Sequence, residues 1–129
     1  MSISNYLEIK LLDAVFNNVT YTAGANIWVS LHTADPTDVD ATAAANEVSG
    51  GSYARADTAF DAAAAGATAN TSLESFTNMP AVTITHVACW DSSTAATNLL
   101  WSGALTASKV VNSGDTVEIA AGDLDVTLD

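Results

Sequence analysis

Leu124-Asp125-Val126-Thr127-Leu128-Asp129 alternates apolar and polar residues at every step. A period of two marks a half-buried strand, with one face on a core and the other in water. This strand runs to the last residue of the sequence. Upstream of it stand the turn signals Asn112-Ser113-Gly114-Asp115 and Ala121-Gly122-Asp123. Short strands separated by turns at intervals of roughly ten residues predict a β-sandwich or barrel.

The remaining strands follow the same logic. Asn26 to Thr33 alternates, with Ile27, Val29 and Leu31 expected on the core face and Trp28, Ser30 and His32 facing outward. Val82-Thr83-Ile84-Thr85-His86-Val87-Ala88-Cys89-Trp90 is the strongest core strand. Its second half is apolar on both faces, as a central strand covered twice would be. Further strands are expected at Tyr53 to Phe60, Ala69 to Phe76, Leu99 to Leu105, Lys109 to Val111 and Thr116 to Ile119, with Gly103 a candidate bulge. Thr37 to Glu47 has little large apolar content and reads as an exposed loop, as does Asp91 to Asn98. Asp61 to Thr68 is rich in alanine but holds Gly66, which favours a loose loop.

One segment has helical rather than strand periodicity. Leu7, Leu11 and Val15 recur at i, i+4 and i+8, with Leu12 and Phe16 widening the stripe. Asn5 can cap this helix, with Glu8 at capping-box spacing, and Asn17-Asn18 can end it. Its apolar stripe must either close an end of the sandwich or grip a neighbouring subunit. The expected fold is all-β: one domain over residues 1–129, a helix at 5–17, and a jelly-roll-like sandwich of seven to eight strands at 26–129.

Composition narrows the function classes. Hydrophobic residues make up 49% and charged residues 14% of the 129-residue chain, which excludes a disordered polypeptide. Fifteen acids against Lys10, Arg55 and Lys109 give a net charge of −12. Nucleic-acid binding needs a basic footprint, and anionic membranes attract basic segments, so neither is an expected partner. Self-repulsion should keep free copies apart until they meet a less acidic surface. The sequence shows no signal peptide and no run long enough to cross a bilayer.

No catalytic constellation emerges. Cys89 sits in an apolar run that would raise its pKa and leave it inert. No Gly-x-Ser-x-Gly pattern and no phosphate-loop spacing occur. His32 and His86 have no partner at metal-ligand spacing. Asp35, Asp38 and Asp40 lack the glycine and distant glutamate of a calcium loop. Asp123, Asp125 and Asp129 share one face of the final strand, where they would blunt an edge. No enzyme activity, cofactor or metal is expected.

Several blocks resemble a family of tailed-bacteriophage structural proteins, described variously as tail-fibre-like or head decoration proteins. They are Asn5-Tyr6-Leu7-Glu8 with Lys10-Leu11-Leu12-Asp13, Leu31 to Thr37, Glu47-Val48-Ser49-Gly50-Gly51-Ser52-Tyr53-Ala54-Arg55, Val82 to Val87, Asn98-Leu99-Leu100 with Gly103-Ala104-Leu105, and Val111 onward. The resemblance implies a virion structural protein. The favoured expectation is a capsid decoration or cement protein on the outer shell surface. It would bind the major capsid protein and form dimers or trimers of itself. A tail-fibre or tail-tip component that binds a host receptor is the alternative. Candidate interface residues are Leu7, Leu11, Val15, Trp28 and Arg55. For Arg55, the only arginine, two readings stand: an internal pair with Asp57 or another carboxylate, or a contact to a shell protein.

Overall fold

The segment Val82–Trp90 forms the central strand that its sequence predicts, and the rest of the molecule is organised around it. The computed structural model describes residues 2–94 and 97–128. Elements follow in the order β1 Ser2–Ile3, α1 Asn5–Phe16, β2 Ile27–His32, α2 Asp40–Asn46, β3 Ala56–Thr58, β4 Ala67–Ala69, β5 Glu74–Phe76, β6 Val82–Trp90, β7 Leu99–Val111, β8 Val117–Ile119 and β9 Asp125–Thr127. An antiparallel five-stranded sheet has the order β1-β7-β6-β2-β3, and β4-β9 and β5-β8 form two-stranded ribbons. Asp129, placed in the last strand by sequence, lies outside the described residues.

Register explains which side chains meet. Val29 pairs with Cys89 and Leu31 with Val87, while Cys89 pairs with Trp101 on the other side. Period-two alternation sends these side chains to one face. There they pack with Phe76, Val117 and Leu124 from the ribbon side, together with Val48, Met79 and Ile84. The chain is therefore a mostly β domain in which a long sheet and two ribbons share one core.

The opposite face of the sheet departs from expectation. Ser30 and His32 are fully buried rather than outward, and Trp28 is half-buried. The cover comes from α2, which replaces the loop expected at Thr37 to Glu47. Ala43 of α2 packs with Ala88, Trp90 and Leu99, and Trp28 and Ala44 pack against that group. Alanine's small side chain lets a helix lie close to a sheet, so a segment poor in large apolar residues can still be a lid. Asp40 fixes its start by accepting a hydrogen bond from the Leu99 amide at 2.9 Å.

Strand boundaries differ for local reasons. The expected Ala69 to Phe76 strand is split into β4 and β5 by Asn70. Its amide donates to the Ser72 and Ala120 carbonyls at 2.8 and 3.0 Å. Its side-chain oxygen accepts from the Gly122 and Leu124 amides at 3.0 and 2.9 Å. A side chain that takes four backbone partners substitutes for the ladder and ends it. Conversely, Leu99 to Val111 is one strand, not two. Between the pairs Ile84↔Lys109 and His86↔Ala104, β6 advances two residues while β7 advances five, a bulge that absorbs the break. Gly103 does not bulge. It pairs with Val87, and a Cβ there would stand 2.7 Å from the Trp101 ring, so glycine makes room for the indole.

The hairpin from Asp61 to Ala69 tightens what sequence reads as a loose loop. Ala64 and Ala67 exchange two backbone hydrogen bonds of 2.9 and 3.0 Å, closing a two-residue turn in which Ala65 and Gly66 both have positive φ. Tyr53 to Phe60 is strand only at β3. With β1 added, the described residues form nine strands and two helices, against an expectation of seven or eight strands and one helix.

Candidate functional site

Helix α1 begins one residue earlier than its sequence cap suggests. Ser4, not Asn5, is the N-cap, and its hydroxyl accepts from the Leu7 amide at 3.1 Å. Ser4 also donates its hydroxyl to the Leu99 carbonyl, and its amide donates to the Leu100 carbonyl at 3.1 Å. Both bonds tie the helix start to β7. Asn17 is the C-cap, and Asn18 takes φ 54°, the left-handed conformation that asparagine tolerates at a helix end.

This helix has no fully buried residue. Tyr6 and Leu7 pack on the core cluster, and Leu11 is half-buried. Ile9, Leu12, Val15 and Phe16, with Val19 just beyond, are 51–77% exposed. The expected stripe of Leu7, Leu11 and Val15 is thus divided between two sides. The exposed face is Ile9, Leu12, Val15 and Phe16. A stripe read from Leu7 and Leu11 passes over Ile9, which lies with Leu12 and Phe16 toward the opposite side of the helix. A surface helix ordinarily turns a polar face to water; this one is apolar on both sides.

Arg55 lies inside the domain. Its Nε donates to Glu47 Oε1 at 2.9 Å and its Nη2 to Oε2 at 2.7 Å, while Nη1 donates to the Ser92 carbonyl at 2.9 Å. The guanidinium carbon stands 4.0 Å from the centre of the Trp90 ring, a cation–π stack. Tyr53 joins this group by donating its hydroxyl to Glu47 Oε1 and accepting from the Leu31 amide, each at 3.0 Å. Burial, followed by the Glu47 charge, drives the Tyr53 pKa up. Of the two readings for Arg55, the internal carboxylate is the observed contact. Its partner is Glu47; Asp57 instead accepts from the Asn26 amide at 2.9 Å.

The Glu47 to Arg55 block is therefore a structural latch. It turns at Gly50-Gly51, where Gly51 has φ +59° and a Cβ would stand 2.4 Å from the Asn78 carbonyl oxygen. Beneath it, Trp90 donates its indole N–H to Ser30 Oγ at 2.8 Å, and Ser30 Oγ lies 2.6 Å from His32 Nε2. His32 is pushed down to about 4, first by burial and then by Arg55 and His86, with Glu47 opposing.

The remaining candidates have local tasks. Cys89 is buried and its thiol is pushed up to about 12 by desolvation. Asp35 accepts from the Thr37 amide at 2.8 Å. Asp35 and Asp38 border an open hollow of about 370 Å³ with Ser2, His86 and Ser102. Asp40 is committed to α2, so the three acids of that segment do not act together. Asp123 and Asp125 border a hollow of about 250 Å³ beside Leu105. Among the described residues no three His, Cys, Asp or Glu side chains stand together as a metal site.

The features on the page are those of a mostly β domain with a tightly built interior and an exposed apolar face on α1. The chain belongs to the family described as podophage GP4 fiber I protein gp80, whose profile matches residues 2–127. It is therefore a structural protein of a tailed phage, with a place in the virion. No curated protein matches the chain.

Proposed function

We propose that this protein is a fibre component of the phage tail, held in the virion through the open face of α1. The observation that carries the reading is that face: Ile9, Leu12, Val15 and Phe16 stand in water on a helix whose other side already packs on the core. Burying large apolar side chains contributes roughly 1.5–3 kcal/mol each, so a neighbouring protein has something to gain there. The family's description as a fibre protein supports the tail over the outer capsid surface. The sequence segments 37–47 and 91–98 contain no aromatic residue, which favours a part that assembles over a tip that grips a receptor.

In this reading the role is passive and involves no turnover. The two-layered β domain serves as a jelly-roll-like scaffold, a description supported by the long sheet facing two ribbons across one core. A capsid cement protein would use the same helix face against the major capsid protein; the two roles differ in number and place. Quantitative mass spectrometry of purified virions, with antibody labelling under the electron microscope, tests the proposal. Few copies located on the tail are expected. Copies in numbers that cover the shell, located on the head, would overturn the fibre reading in favour of decoration.

A further inference from the structure

The open face of α1 has the geometry of a helix–helix seam. At about 100° per residue, Ile9, Leu12 and Phe16 fall within about 60° of one another. Their i, i+3, i+7 spacing is that of the apolar positions in a coiled coil. The borders of the seam are acidic: Glu8 lies beside Val15 on one flank and Asp13 on the other. Lys10 lies well round the helix from the seam and stands 5.6 Å from the centre of the Tyr6 ring. A second copy would bring the same two carboxylates to the seam, along with another net charge of −12, and like charges at a joint disfavour pairing.

Resting on the reading of the chain as a virion assembly subunit, we propose that this face receives an amphipathic helix of a different virion protein. Its apolar side chains recur at three- and four-residue spacing and are bordered by lysine or arginine. Ile9, Leu12 and Phe16 supply the apolar contact. Glu8 and Asp13 select the basic flanks. This is the helix-in-groove mode of recognition, with affinity from apolar anchors and choice of partner from charge.

Two synthetic helical peptides of about 20 residues, long enough to hold a helix, test it against the purified chain by fluorescence anisotropy. They share one leucine seam and differ only in lysine or glutamate flanks. The lysine-flanked peptide should bind and the glutamate-flanked one should not. Binding should weaken as ionic strength rises from about 0.05 to 0.5 M and fall at least about ten-fold in Leu12→Ala and Phe16→Ala. The double variant Glu8→Lys/Asp13→Lys, which leaves the seam intact, should reverse the preference. Sedimentation of the chain alone should show a monomer.

A dimer abolished by Leu12→Ala would make a second copy the occupant and overturn the proposal. So would equal binding of the two peptides, binding of neither, or binding unchanged by the α1 variants. Copy number and position in the virion do not depend on these readouts, so the fibre reading can survive the failure of this one.

Discussion

Arg55 and Glu47 face each other through two parallel hydrogen bonds, 2.9 Å from Nε and 2.7 Å from Nη2, with side chains only 3% and 15% exposed. The pair joins the residue just after α2 to the approach to β3, and Trp90 of the central strand lies against the guanidinium. Removing one partner leaves the other charge buried without compensation, which typically costs about 3–5 kcal/mol. Glu47→Ala should therefore lower unfolding free energy in urea by about that amount. Replacing both, as in Glu47→Leu/Arg55→Met, should cost less than the sum of the singles, because no charge is stranded. Arg55→Lys should also destabilise, since an ammonium cannot reproduce the fork or the planar stack.

Gly51 and Gly114 offer a comparison in which both residues take a positive φ, +59° and +90°, but the space around them differs. A Cβ at Gly51 meets the Asn78 carbonyl oxygen at 2.4 Å, while a Cβ at Gly114 meets nothing within 4 Å. Gly114→Ala should cost about 1 kcal/mol, the penalty for a side chain in that conformation. Gly51→Ala should cost clearly more, because Asn78 or the turn must move. Thermal unfolding of the two variants side by side measures the difference.

Parts of this fold are written in period and parts are not. β6 is legible to the residue, because Val82 to Trp90 carries alternation into a doubly apolar run and is flanked by breaks. α1 is legible because its leucines recur at helical spacing. α2 is not, since Asp40–Asn46 has no large apolar side chain, and its value lies in alanine's closeness to Trp90. For the same reason the second face of β2 reads as exposed although Ser30 and His32 are covered. The role of Asn70 is equally silent, because an asparagine that replaces ladder hydrogen bonds looks like any loop asparagine. On α1, Leu7 packs toward the core and Leu11 is half-buried, while the solvent face belongs to Ile9, Leu12 and Phe16. Arg55 stood out by rarity, and that rarity marks a latch inside the domain.

His32 predicts an acid sensitivity. Its folded pKa is lowered from 6.5 to about 4, mainly by burial, so the fold prefers the neutral ring. The unfolded chain binds the proton first. The His32 contribution is complete above about pH 6.5, declines as pH falls, and is exhausted near pH 4. At about 1.4 kcal/mol per pH unit, the loss from this residue reaches about 3 kcal/mol. Chemical denaturation between pH 7.5 and 4 should show a smaller slope in His32→Gln than in the unaltered protein. Equal slopes would assign the acid sensitivity to other groups.

The two sides of α1 should separate stability from assembly. Leu7 packs on the core, so Leu7→Ala should cost about 1–2 kcal/mol, less than the range for a fully buried leucine. Leu12 is 56% exposed, and substitutions at such positions usually change stability by no more than about 0.5 kcal/mol. Leu12→Glu should accordingly leave the unfolding midpoint of the purified protein close to unaltered while emptying the particle of this subunit. Phage produced with that variant and assayed for its content of the chain gives the second measurement. Normal incorporation of a stable Leu12→Glu protein would mean that the apolar side of α1 is not the surface by which the subunit is held.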